Sequence, residues 1–159
     1  MNNLSKAFIG SAVICFALGT TLGLLMLLSR IHSQWGGWDY YLIPSHTHLN
    51  LLGWMSMTIY AMGYRAFPAF FGKSLYSVRL AWIHFWCANI GLVGMAVFFF
   101  LNRFQEGSWS IPLAVSGLIQ IFGVYLFVYN VVRSILSKPM TDQRSLHEYR
   151  QGKTSLDQG

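Results

Sequence analysis

Four histidines fall at or beside the apolar stretches of this chain: His32, His46, His48 and His84. Imidazole is the commonest metal-binding side chain, and an ionisable group at membrane depth is a candidate for function by default. His46 and His48 stand two residues apart in "PSHTHLNLLGW", residues 44–54. On a continuous helix that spacing turns them about 200° apart. If the backbone after Pro44 stays extended over 45–47, the two share a face, and His32 can complete a three-histidine copper or zinc site. A single histidine at the head of an apolar helix has another use, as an axial ligand of heme. Heme needs a nitrogen on iron, a flat apolar slot, and positive or polar groups for its propionates. Here His48 offers the nitrogen. Leu51, Leu52 and Met55 lie on its face at helical spacing and form a wall. Arg30 and Arg103 can pair with propionates. The residues alone leave heme, copper or zinc, and a structural histidine all open.

The elements that must position these groups follow from charge. The chain has 159 residues, 54% hydrophobic and 10% charged. Soluble domains run nearer a quarter charged. No Asp, Glu, Lys or Arg occurs over Ala7–Ser29, Tyr40–Tyr64, Leu80–Asn102 or Gly107–Val132. Each window holds the roughly 20 apolar residues that cross a bilayer as a helix. The spacing predicts spans at about Ala7–Ser29, Ser45–Tyr64, Leu80–Leu101 and Ile111–Leu136. The fold class expected is all-α, an integral membrane four-helix bundle over residues 1–136. A polar tail, "SKPMTDQRSLHEYRQGKTSLDQG", fills 137–159 and carries His147 as a solvated residue. The first stretch is too long for a signal-peptide core and lacks a small-residue cleavage site, so it reads as a retained helix. Pro112 suits the first turn of the last span.

The net charge of +6 is distributed by topology rather than gathered for nucleic acid. Lys6, then Arg65, Lys73 and Arg79, then Arg133 and the tail cations fall on one side. Arg30 and Arg103, balanced by Asp39 and Glu106, fall on the other. The positive-inside rule then puts both termini in the cytoplasm of a bacterial inner membrane. His32, His46 and His48 lie toward the outer surface. His84 lies near the inner end of the third span, roughly 20 Å from His48, so the two cannot share one iron within a chain. A second heme at His84 would need Met62 or another chain as partner; a histidine hydrogen-bonded within the bundle is the favoured reading. Asn50, Asn89, Gln120 and Asn130 are expected as interhelical hydrogen-bond partners. Gly19 and Gly23 form a G-x-x-x-G pair for close helix packing. Cys15 and Cys87 lack CxxC spacing and read as small buried side chains. No buried acid, P-loop, Gly-rich dinucleotide turn, Ser-His-Asp arrangement or zinc-protease motif occurs.

The stretch "SHTHLNLLGWMSMTIYAMGYRAFP" resembles the second transmembrane helix of the catalytic subunit of heme-copper oxidases, in particular the nitric oxide reductase branch. The pattern is His48, Asn50, Leu51, Leu52 and Trp54, closing with Tyr60, Tyr64 and Pro68. The resemblance implies that His48 is an axial ligand of low-spin heme b. It also implies electron transfer or binding of a small gas, oxygen or nitric oxide. The family's other axial histidine and the histidines of its binuclear centre lie on later helices that this chain lacks. Reduction of oxygen or nitric oxide by this chain alone is therefore not implied. The second ligand is left to His46, His32, a methionine such as Met26 or Met95, another subunit, a homo-oligomer partner, or nothing, which would leave an open position for a gas. The competing functional readings are copper or heme handling, and an accessory subunit of a larger respiratory complex in the lipid bilayer.

Overall fold

The computed structural model describes residues 3–32, 38–102, 105 and 107–137; the side chains of 38–41 are outside that description. Arg103, Glu106, the tail beyond 137 and its His147 therefore lie outside the described residues. The described chain is all-helical. Helix α1 covers Asn3–Ile31, α4 covers Val78–Leu101 and α5 covers Ser110–Leu136. These three are long and apolar enough to cross a membrane. Their outward surfaces are greasy: Ile14, Leu24, Leu27, Leu118, Phe122 and Tyr125 are all more than half exposed. In water such a surface would drive aggregation; in lipid it is the solvent-facing side.

The second expected span is not a uniform helix beginning at Ser45. It is part of an unbroken helical run over 38–70, in three pieces. Helix α2 covers Trp38–His48, a π-helical segment covers Leu49–Ser56, and α3 covers Met57–Phe70. Pro44 and Pro68 sit inside α2 and α3 rather than bounding them. Each removes one backbone donor, a loss that membrane helices recover through side chains and neighbours. The π segment has i→i+5 bonding and more than four residues per turn. Its buried side accordingly recurs every fourth residue: Leu49, Gly53 and Met57. Ser56 Oγ donates to the Leu51 carbonyl, 2.8 Å away and five residues back.

Helix α1 packs along the 38–70 run, and α4 packs between that run and α5. The tightest approaches are made through glycine. A Cβ on Gly91 would stand 2.8 Å from the Gln120 backbone nitrogen, so α4 and α5 touch backbone to backbone there. A Cβ on Gly53 would stand 2.5 Å from Cys15 Cβ and 3.0 Å from Leu92 Cδ2, so the π segment wedges between α1 and α4.

Around Phe8, fully buried, an aromatic core gathers: Phe85 at 5.0 Å, His84 at 5.3 Å, Tyr64 at 5.9 Å and Tyr60 at 6.0 Å between ring centroids.

The turn from α3 to α4 is pinned to the end of α5. Gly72 adopts φ +62°, the left-handed conformation that closes a helix. Ser77 caps α4, its Oγ accepting from Leu80 N at 3.2 Å. Asn130 of α5 then brackets Ser77: Oδ1 accepts from Ser77 N at 3.0 Å and Nδ2 donates to Ser77 O at 2.7 Å. Tyr76 N donates to Ser134 Oγ at 2.8 Å, and Lys73 Nζ reaches the Ser137 carbonyl.

Candidate functional site

Because α2 is helical through 45–47, the extended backbone that would let His46 and His48 share a face does not occur. The two rings diverge. His46 points at α1, where its Nδ1 stands 2.8 Å from the Gly19 carbonyl. His48 points toward α4, its ring 4.9 Å from Phe99 at an interplanar angle of 43°. His32 lies just past the end of α1, exposed. No group of three His, Cys, Asp or Glu side chains that could hold a metal ion comes together among the described residues. His46 and His48 do not converge on one point because the helical turn separates them.

His48 is the last residue of α2 and half-buried. Its Nδ1 lies 2.7 Å from the carbonyl of Pro44, one turn back. A carbonyl only accepts, so Nδ1 carries the proton and Nε2 holds the lone pair. Nε2 takes no hydrogen-bond partner among the described residues. A metal-binding imidazole needs this state, with one nitrogen tied to an acceptor and the other available. Leu52 is half-buried on the same flank, whereas Leu51 and Met55 are 49% and 52% exposed. The reason is the π segment. With more than four residues per turn, i+4 stays near the face of His48 while i+3 and i+7 rotate off it. Arg30 is exposed in the last turn of α1.

His84 is a different case. It is fully buried, with Nδ1 2.9 Å from Tyr64 Oη and Nε2 without a partner. Tyr60 at 4.5 Å, Phe8 at 5.3 Å and Phe127 at 5.6 Å crowd its ring. Nothing as wide as a porphyrin fits against that nitrogen without prising the core open. Fifteen residues of α4 separate His84 from the Phe99 that touches His48, a rise of roughly 22 Å, so the two histidines serve separate levels. Tyr64 as the partner of His84 was not legible beforehand; a tyrosine and a histidine on helices that sequence order makes neighbours was the available signal.

Of the polar residues expected to bridge helices, Asn130 does so, tying α5 to Ser77. Asn50 bonds the His46 carbonyl at 2.8 Å and Asn89 the Phe85 carbonyl at 2.7 Å, each within its own helical run. Both amide atoms of Gln120 are buried without a partner. Cys15 is buried and Cys87 half-buried, both as free thiols. Among the methionines considered as ligands, Met95 is buried, Met26 is half-buried and Met62 is 62% exposed.

The family model described as Cytochrome C and Quinol oxidase polypeptide I matches residues 2–136. The chain belongs to the cytochrome c and quinol oxidase polypeptide I family. Among its relatives is a cytochrome c oxidase subunit 1 of Rhodobacter capsulatus, 26% identical over 79% of this chain and 28% of the relative. A cytochrome c oxidase subunit 1 homolog of Agrobacterium tumefaciens (strain T37) is 25% identical over the same shares, 79% and 28%. A Cbb3-type cytochrome c oxidase subunit CcoN1 of Stutzerimonas stutzeri is 26% identical over 63% of this chain and 21% of the relative. The chain thus spans little more than a quarter of the length of the first two relatives. No solved structure matches it significantly. It is a membrane protein built on a subunit I-like region.

Proposed function

We propose that this chain is a membrane heme-binding subunit that holds b-type heme through Nε2 of His48. The observation that carries the reading is the Nδ1-to-Pro44 hydrogen bond, 2.7 Å long, which orients the ring and leaves Nε2 as the donor. Leu52 and Phe99 supply apolar surface beside it, and Arg30 supplies positive charge at the end of α1. Bound heme would supply one-electron redox chemistry, or a coordination position for oxygen or nitric oxide. The protein's part is to fix the imidazole tautomer, exclude water from the iron side with Leu52 and Phe99, and embed the group in lipid. In this reading the 38–70 run is a fourth span, both termini face the cytoplasm, and the membrane is a bacterial inner membrane. The second axial position falls to another subunit or a second copy, because His46 is committed to Gly19 and His84 is sealed in the core.

The test is the visible spectrum of detergent-purified protein, oxidised and dithionite-reduced, with and without carbon monoxide, beside His48→Gly. The expected result is a Soret band that His48→Gly removes and added imidazole restores. Reduced bands unmoved by carbon monoxide mean an electron carrier; a shift means an open position for gas. A protein colourless after expression with ample heme overturns the proposal and leaves an accessory role.

A further inference from the structure

A cavity of about 750 Å³ opens between α1, α2 and α4, near the end of the molecule where α1 and α4 finish. Its walls are Leu22 and Leu25 of α1, Leu42 of α2, and Ala96, Val97 and Phe100 of α4. The two hydroxyls that also line it are already spent. Ser29 Oγ donates to the Met26 carbonyl at 2.8 Å, and Ser45 Oγ donates to the Ala96 carbonyl at 2.8 Å. Among the described residues no nitrogen ligand lines the cavity, since neither His46 nor His48 is in its wall. The described wall therefore offers no iron ligand and no unsatisfied polar group for a quinone head group or water. A hollow of this size amid lipid does not stay empty, because its lining would forgo contact on one side.

We propose that this cavity holds an acyl chain of an anionic phospholipid. Hydrocarbon suits the surface that the described wall residues present. Arg30, next to the lining Ser29 and exposed at the end of α1, supplies a positive charge at the depth where the head group of such a lipid lies. Leu24 and Leu27 on the same helix are more than half exposed and are not among the wall residues. The chain in the cavity fills the gap between α1 and α4, so the lipid serves as a packing element beside α2.

The experiment uses the full chain in mild detergent, stripped of lipid and then given dioleoylphosphatidylglycerol or dioleoylphosphatidylcholine, with bound lipid counted by native mass spectrometry. The expected result is one retained phosphatidylglycerol per chain. Leu25→Trp, which fills the cavity, lowers that occupancy at least tenfold. Leu24→Phe does not, and Arg30→Gln erodes the preference for the anionic lipid. In unaltered protein, a phosphatidylglycerol with a diazirine on its acyl chain labels peptides containing Leu22, Leu25 or Val97. Equal retention by Leu25→Trp and Leu24→Phe overturns the proposal. So does labelling confined to outward positions such as Ile14 and Leu118, or a quinone as the retained molecule. Heme absorbance is read in the same samples and is independent of these outcomes.

Discussion

His46 and Gly19 are joined across the α1–α2 seam, imidazole Nδ1 to carbonyl oxygen, at 2.8 Å. The bond explains what the Gly19-x-x-x-Gly23 pair is for. The two glycines do not bring helix backbones together; they make room for side chains. A Cβ on Gly19 would stand 2.6 Å from Asn50 Nδ2, and one on Gly23 would stand 3.0 Å from His46 Cε1.

Gly19→Ala is accordingly expected to destabilise the protein, by about 1–3 kcal/mol from overpacking, despite the better helix propensity of alanine. Gly10, with nothing within 4 Å of its would-be Cβ, is the control. Gly10→Ala should be neutral or stabilise by up to about 1 kcal/mol. Thermal unfolding in one detergent compares the two, and equal melting temperatures would refute the side-chain seat at Gly19.

Tyr64→Phe removes the hydrogen-bond partner at His84 Nδ1, in a residue whose Nε2 is already buried without one. A loss of about 1–3 kcal/mol is expected. The double variant Tyr64→Phe, His84→Phe should recover part of it, because exchanging both partners for apolar groups is nearly neutral. A double variant less stable than Tyr64→Phe would show that the imidazole contributes more than this one bond.

Asn130→Ala breaks both hydrogen bonds to Ser77 at once, at a residue with no exposed surface. About 2 kcal/mol should be lost at roughly 1 kcal/mol per bond. The loss should appear as faster hydrogen exchange at residues 76–80 as well as in equilibrium unfolding. Unchanged exchange there would mean that Ser134 and Lys73 hold the turn without it.

Gln120→Leu should do the reverse. Gln120 is 4% exposed and neither amide atom has a partner. Replacing an unsatisfied amide by an apolar side chain of similar size is expected to stabilise by about 1–3 kcal/mol. A less stable Gln120→Leu protein would reveal that the amide is bonded in the membrane, to water or to another chain.

Much of the architecture was legible because charge and proline mark it. The last two helices begin at Val78 and Ser110 where Leu80 and Ile111 were expected, since Arg79 and Pro112 bound the apolar stretches. The 38–70 run was misjudged for the same reason. Pro44 reads as a breaker, yet a membrane helix tolerates it, and the His48 ring bonds the Pro44 carbonyl from inside the helix. The divergence of His46 and His48 followed from helical geometry once the backbone was known. That His46 would meet the Gly19 carbonyl depended on how α1 and α2 pack, which no local pattern encodes. The π segment has no compositional mark either, and it moved Leu51 and Met55 away from the wall where uniform α spacing had put them.

That segment also divides the run into two separately indexed halves. An α-helix is a rigid ruler: turning one end turns the other. Eight residues of wider winding, Leu49–Ser56, absorb one position between His48 above and the Tyr60–Tyr64 pair below. Deleting one residue there would let the remaining seven wind as α-helix, with little net change in the direction of His48 relative to those tyrosines. A one-residue change in length can thus be taken up inside the segment, leaving both His48 and the aromatic core around Phe8 facing as they do.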